Sequence, residues 1–218
     1  VVDADPQGNA TSWLLDGDVT QAGMFDLLVV GKPADRCLCR PAGWDNIALL
    51  PGNHRTGEAF IFLAATQKPF ETTTEALRPL AATSDVVLVD MPPSRAAGFV
   101  ETLFAADWAL VPTQLERLSL EGVVFMAETC AGLAQRYKVR RPRLLGVVPN
   151  MTRANTREHQ DQMQELIKAF NGTVWPPVPL SVRVAEAAAV GRTVFELADA
   201  GPVGDALRLV GERVVANA

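Results

Sequence analysis

Three aspartates stand where carboxylates can do chemistry. The chain opens Val1-Val2-Asp3-Ala4-Asp5-Pro6-Gln7-Gly8-Asn9, two β-branched residues running into Asp-Ala-Asp and stopping at a turn. Residues 86–94 repeat the plan: Val86-Val87-Leu88-Val89-Asp90 is broken by Pro92 and Pro93, which cannot donate to a strand ladder. Each stretch reads as a buried strand delivering carboxylates from its carboxyl end, where open α/β sheets bind ligands. Hard carboxylate oxygens at such an edge suit a metal ion and a phosphate. Taken singly, each aspartate could equally cap a turn.

The two stretches resemble the ParA family of partition ATPases, in the MinD/ParA branch of the P-loop NTPases. That family carries a strand ending D-x-D-P-Q-G-N and a Walker B strand ending D-x-P-P-S, here Asp3 to Asn9 and Asp90-Met91-Pro92-Pro93-Ser94. The likeness runs through essentially the whole chain. Residues 47–52 resemble the family's L-x-L-I-P-A/G strand, and residues 105–112 its A-x-D-x-V-I-P-V segment. Glu116-Arg117-Leu118-Ser119-Leu120-Glu121-Gly122 resembles its E-x-x-S/A-L-E-G lead into a long helix. Residues 180–187 resemble I-P-R-x-V-R-x-x-E-A, with Leu180 in place of the first Arg and Arg183 as the second.

The resemblance implies an α/β fold: a mostly parallel central sheet flanked by helices on both faces, with residues 1–218 as one ATPase domain. It implies ATP and Mg²⁺ as cofactors. Asp90 would hold Mg²⁺ through its water shell, and Asp5 would orient or activate the attacking water. Asp3 would point toward the metal or into the strand-end network. Asn150, ending a buried strand, and Pro179 would contact the nucleotide. Arg153, Arg157 and Arg183 would contact DNA; the family's own Arg aligns closest to Asn155, between the first two. The implied protein is cytoplasmic and nucleoid-associated. It would form a homodimer on ATP, bind DNA without sequence preference, and be reset by a ParB-like activator as it moves plasmid or chromosomal cargo.

The family also has a P-loop ahead of the D-x-D-P-Q stretch, where backbone N–H groups and a Lys cradle the phosphates. No G-x-x-x-x-G-K-[ST] occurs here; Gly31-Lys32 runs into Pro33, and Gly191-Arg192-Thr193 lacks the Lys. The expectation is a first β–loop–α unit of roughly thirty residues upstream of Val1. The chain as given would then bind ATP weakly and be inactive alone. The alternatives are a related ATPase positioning a conjugation or secretion apparatus, and a P-loop-less scaffold that is no enzyme. An iron–sulphur relative is disfavoured because no Cys follows Asp90 closely.

Composition agrees with an α/β domain of this size. The 218 residues are 48% hydrophobic, enough for a large core, and no run approaches the length of a membrane span. The net charge of −5 excludes a chain that is basic throughout, so DNA contact would need a local patch. Cys37, Cys39 and Cys130 form no framework and fit a reducing compartment. Around the aspartates, helices are expected at residues 10–15, 57–67, 70–82, 96–106, 120–137 and 203–214, and in a segment holding His159, Met163, Leu166, Ile167 and Phe170. Strands are expected at 47–52, 85–90, 108–112, 144–150 and 173–179. In the long helix, Leu120, Val123, Val124, Ala127, Cys130, Ala134 and Tyr137 form one apolar stripe. Arg136 to Arg143 is a basic cluster that reads first as a solvated helix–strand connection, with nucleic-acid contact as its rival. His54 and His159 read as surface residues.

Overall fold

The computed structural model describes residues 1–15, 22–66, 69–93, 96–153 and 157–217, apart from the side chains of Arg117 and Leu118. Ser94 and Asn155, which figure in the sequence analysis, lie outside the described residues. The chain forms two compact units, Val1–Ala106 and Asp107–Ala218.

In the first unit, β1 (Val2–Asp3) has a parallel neighbour on each side. One is β2 (Val89–Asp90), in register Val2 to Val89 and Asp3 to Asp90. The other is the segment around Leu50, bridged to Val2. Asp3 N–H donates to Leu50 O at 3.0 Å, and Ala4 N–H to Asp90 O at 2.9 Å. The ladder is short because Pro6 ends one strand and Pro92 the other, removing the donors that would extend it. Residues 85–90, expected as one strand, thus pair only at their end, and Leu88 is 54% exposed.

Helices α1 (Asn9–Leu14), α2 (His54–Ala64), α3 (Pro69–Ala82) and α4 (Phe99–Ala105) follow the apolar spacing of the sequence. Helix α2 begins three residues earlier than expected. Asn53 caps it by accepting Arg55 N–H and, with Thr56, forms a capping box. Hence His54 lies in the first turn, exposed. Phe60 and Leu63 of α2 and Leu77 and Leu80 of α3 pack with Val2, Leu50 and Met24 in one core. Gly98, at φ 90°, lets α4 start hard against that core, since a Cβ there would fall 2.1 Å from Phe60 Cδ2.

In the second unit, β3 (Trp108–Thr113) and β4 (Arg143–Pro149) run parallel, joined by α5 (Arg117–Tyr137). Beyond β4 the expected last strand pairs only at single bridges, Val147 to Val174 and Thr152 to Pro179. Pro176, Pro177 and Pro179 keep it from laddering continuously. Helices α6 (Arg157–Ala169), α7 (Val182–Ala189) and α8 (Gly201–Val215) complete the unit. Val123 and Cys130 of α5 are buried as expected, but Val124 is exposed and Leu133 takes a core position instead. Two adjacent residues sit about 100° apart on a helix, so a stripe through both Val123 and Val124 is wider than the face this core covers. Among the described residues, no helix is long and apolar enough to cross a membrane, and all three cysteines are free thiols.

Candidate functional site

The carboxyl ends of β1 and β2 carry Asp3 and Asp90 side by side in register, with Asp5 two residues beyond Asp3. The three carboxylates have different surroundings.

Asp3 is fully buried. Its Oδ2 accepts from the N–H of Thr11 at 2.8 Å and from the Thr11 hydroxyl at 2.7 Å, and its Oδ1 accepts from Asp5 N–H at 3.2 Å. The Thr11 hydroxyl in turn accepts from Gly52 N–H at 2.8 Å. Asp3 therefore hooks α1 and the 50–53 turn onto the strand end. These hydrogen bonds make Asp3 part of the strand-end network. Only glycine fits opposite: a Cβ on Gly52 would lie 2.4 Å from Asp3 O and 2.9 Å from its Oδ1.

Asp5 is half-buried and starts a tight turn. Its Oδ1 accepts Gln7 N–H at 2.9 Å, and its carbonyl accepts Gly8 N–H at 3.0 Å. Gly8, at φ 64°, packs so close to the 50–53 turn that a Cβ would meet Gly52 O at 2.8 Å. The Asp-Pro-Gln-Gly turn is thus fixed from both sides, which holds Asp5 at a defined place beyond the sheet edge.

Asp90 keeps access to solvent. Its carboxyl pKa is nevertheless pushed up, first by desolvation and then by the negative charges of Asp3 and Asp5. Because the side chain reaches water, desolvation is partial, and the repulsion is the part that a bound cation would relieve. Among the described residues, no three His, Cys, Asp or Glu side chains form a metal cage. The solvent-facing Asp90 carboxylate fits Mg²⁺, which typically takes one or two carboxylates and fills its octahedron with waters and phosphate oxygens.

The second unit places Asn150 and Pro179 together at the carboxyl edge of its own sheet. Asn150 N–H donates to Thr113 O, the end of β3, at 2.7 Å. Two residues on, Thr152 bridges Pro179, with Leu180 N–H donating to Thr152 O at 3.1 Å. Both residues are half-buried. Their chain neighbours Met151 and Leu180 are exposed, as is Val182. The three arginines have separate settings. Arg153 is exposed, and its backbone N–H donates to His159 Nδ1 at 3.0 Å. Arg157 lies 4.0 Å from Asp161 one turn on, and Arg183 pairs with Asp199 at 3.1 Å.

Comparison with known proteins decides the family. A family described as an AAA domain matches residues 1–141. The chromosome-partitioning ATPase Soj of Thermus thermophilus is 36% identical over 222 residues, spanning 100% of this chain and 83% of the relative. The chain belongs to the ParA family of partition ATPases. Among solved structures, an ATP complex of Cyanothece McdA aligns with a TM-score of 0.84 at 20% identity, over 96% of this chain and 84% of that one. Cobyrinic acid a,c-diamide synthase from Mycobacterium smegmatis, with a bound ATP analogue and magnesium, aligns at 0.72 and 26% identity, over 86% and 79%. The ParA-type α/β fold, parallel strands between helices, is therefore the fold of this chain.

Thr11 and Gly52 are the site residues that sequence reasoning missed. Gly52 carried a signal, the Pro51-Gly52 stop directly after an apolar run. Thr11 carried none, because nothing in a helix turn marks a threonine that reaches back to a strand.

Proposed function

We propose that residues 1–218 form one ATPase domain of a partition protein, in which Asp90 holds Mg²⁺ through water and Asp5 orients the water that attacks the γ-phosphate. The observation that carries the proposal is the register of β1 and β2, which sets Asp3 and Asp90 side by side with Asp5 just beyond. Mg²⁺ would supply the charge that neutralises the phosphates as the terminal phosphoryl group departs. The chain's own residues do the placing. Asp3, spent on Thr11 and Asp5 N–H, fixes the base of the turn. Asp5, with its Oδ1 tied to Gln7 N–H, is held in the turn just beyond the strand end. Asn150 and Pro179 would contact the base.

Three carboxylates and a polyphosphate repel one another unless cations intervene. The sequence of 218 residues contains no P-loop Lys, so this stretch is expected to bind Mg-ATP weakly. Isothermal calorimetry tests that, and micromolar affinity for this chain alone would refute it. In a protein carrying a P-loop ahead of Val1, Asp5→Ala should keep ATP binding and lose hydrolysis, about 10²-fold or more in kcat. Wild-type turnover by that variant would remove Asp5 from its role.

Exposed Met151, Leu180 and Val182 beside the proposed base contacts support an ATP-dependent homodimer. Arg153, Arg157 and Arg183 would then face DNA, and a ParB-like protein would stimulate hydrolysis. The setting would be the cytoplasm, on the nucleoid. DNA affinity that ignores salt would count against these phosphate contacts.

A further inference from the structure

We propose that the amino-end edge of the β3–β4 sheet is a second surface, one that binds single-stranded nucleic acid. Arg136, Lys138, Arg140, Arg141 and Arg143 fall within eight residues that contain no Asp or Glu. The chain as a whole carries −5, so these five cations leave −10 on everything else. A concentration of positive charge on an otherwise acidic protein steers polyanions to one place.

The structure adds what the sequence run alone lacked. Register pairs Trp108, the first residue of β3, with Arg143, the first of β4. Trp108 is 40% exposed, and the Arg143 guanidinium sits 5.8 Å from its ring centroid. Arg143 Nε donates to Arg140 O at 2.8 Å, and Arg141 pairs with Asp107 at 3.0 Å. These contacts draw the turn after α5 onto the strand ends. Arg136, Lys138 and Arg140 are exposed. An exposed ring within a set of cations, most of them Arg, matches a phosphate backbone with stackable bases. A carboxylate-rich peptide would use the charge but not the ring. This edge lies about 17 Å along β3 from the edge that holds Asn150, taking roughly 3.3 Å per residue. It is therefore separate from the edge that holds Asn150, and it does not depend on that reading.

The test is fluorescence anisotropy of a labelled oligothymidylate with the whole chain, from about 50 to 200 mM salt. The double variant Lys138→Glu/Arg140→Glu should weaken binding at least tenfold at the lowest salt. It should also flatten the slope of log affinity against log salt by about 1.4, near 0.7 per lost phosphate contact on a single strand. Trp108→Ala should weaken the single strand about fivefold or more and Trp108→Phe should restore it, while a duplex of equal length is unaffected. Arg78→Glu, an exposed cation on α3, should leave this binding intact, which separates the effect from a general loss of positive charge. Unchanged affinity and slope in the folded double variant, checked by circular dichroism and with Arg140→Gln alongside, would overturn the proposal. So would equal binding of polyglutamate, or equal losses for single strand and duplex on removing Trp108.

Discussion

Asp3 and Asp90 end two neighbouring parallel strands of similar sequence, yet they have opposite fates. Asp3 is sealed from solvent, and both its oxygens are engaged by Thr11 and by Asp5 N–H. Asp90, beside it in register, reaches water and has its carboxyl pKa pushed up. The cause lies in the number of neighbours. β1 is flanked on both sides, by β2 and by the Leu50 segment, whereas β2 pairs with β1 alone among the described residues. The flanked strand buries its carboxylate and uses it as a structural clasp. The one-sided strand leaves its carboxylate open to solvent.

Substitutions at the two strand ends should separate these roles. The largest effect is expected from Asp3→Ala, which strands the Thr11 hydroxyl and the N–H groups of Thr11 and Asp5. At about 1–3 kcal/mol for each buried donor left unpaired, the loss should be roughly 3 kcal/mol or more in urea unfolding. A loss as small as that of Asp90→Ala would erase the contrast. Next comes Gly52→Ala, whose methyl must push into Asp3 O at 2.4 Å. An overpacking cost of about 1–3 kcal/mol is expected from the same measurement. Thr11→Val keeps the shape but leaves Gly52 N–H without its acceptor, for about 1–2 kcal/mol.

Asp90→Asn should have the smallest effect, and of opposite sign. The folded-state pKa of Asp90 lies above its ordinary value of 3.8. The folded protein therefore holds that proton more tightly than the unfolded chain does. Ionisation of Asp90 weakens the fold as pH rises from 3.8 through the raised value, and the penalty is fully present at neutral pH. Removing the charge should make the protein slightly more stable at pH 7, with the gain vanishing as pH falls below 3.8. Melting temperatures of the two proteins from about pH 3 to 7 would show it. A variant less stable than wild type at neutral pH would show that Asp90, too, is a structural carboxylate.

The strand-end aspartates were legible because an apolar run, an acid and a proline are adjacent in sequence, and each marks a physical event. The run is buried, the acid emerges and the ladder stops. The clasp was not legible, because it joins Asp3 to Thr11 and Thr11 to Gly52, eight and forty-one residues apart. Strand length was misread at 85–90 for a related reason. Hydrophobicity reports the chance of burial, but pairing needs a neighbour, and β2 has one on a single side. In α5 the apolar spacing located the helix and over-widened its core face at Val124. The helix stops and starts were read least well where capping decided them, as at Asn53.

Strand residues alternate the side to which they turn their peptide groups, so Val89 directs its N–H and carbonyl away from β1. Among the described residues, no strand meets them, and Leu88 beside them is bare. Such a rim is a template on which another extended peptide can lay itself, from a foreign chain or a sister molecule. Concentrated solutions of these 218 residues should therefore tend to zip rim to rim, and a charged residue at position 88 should keep them apart.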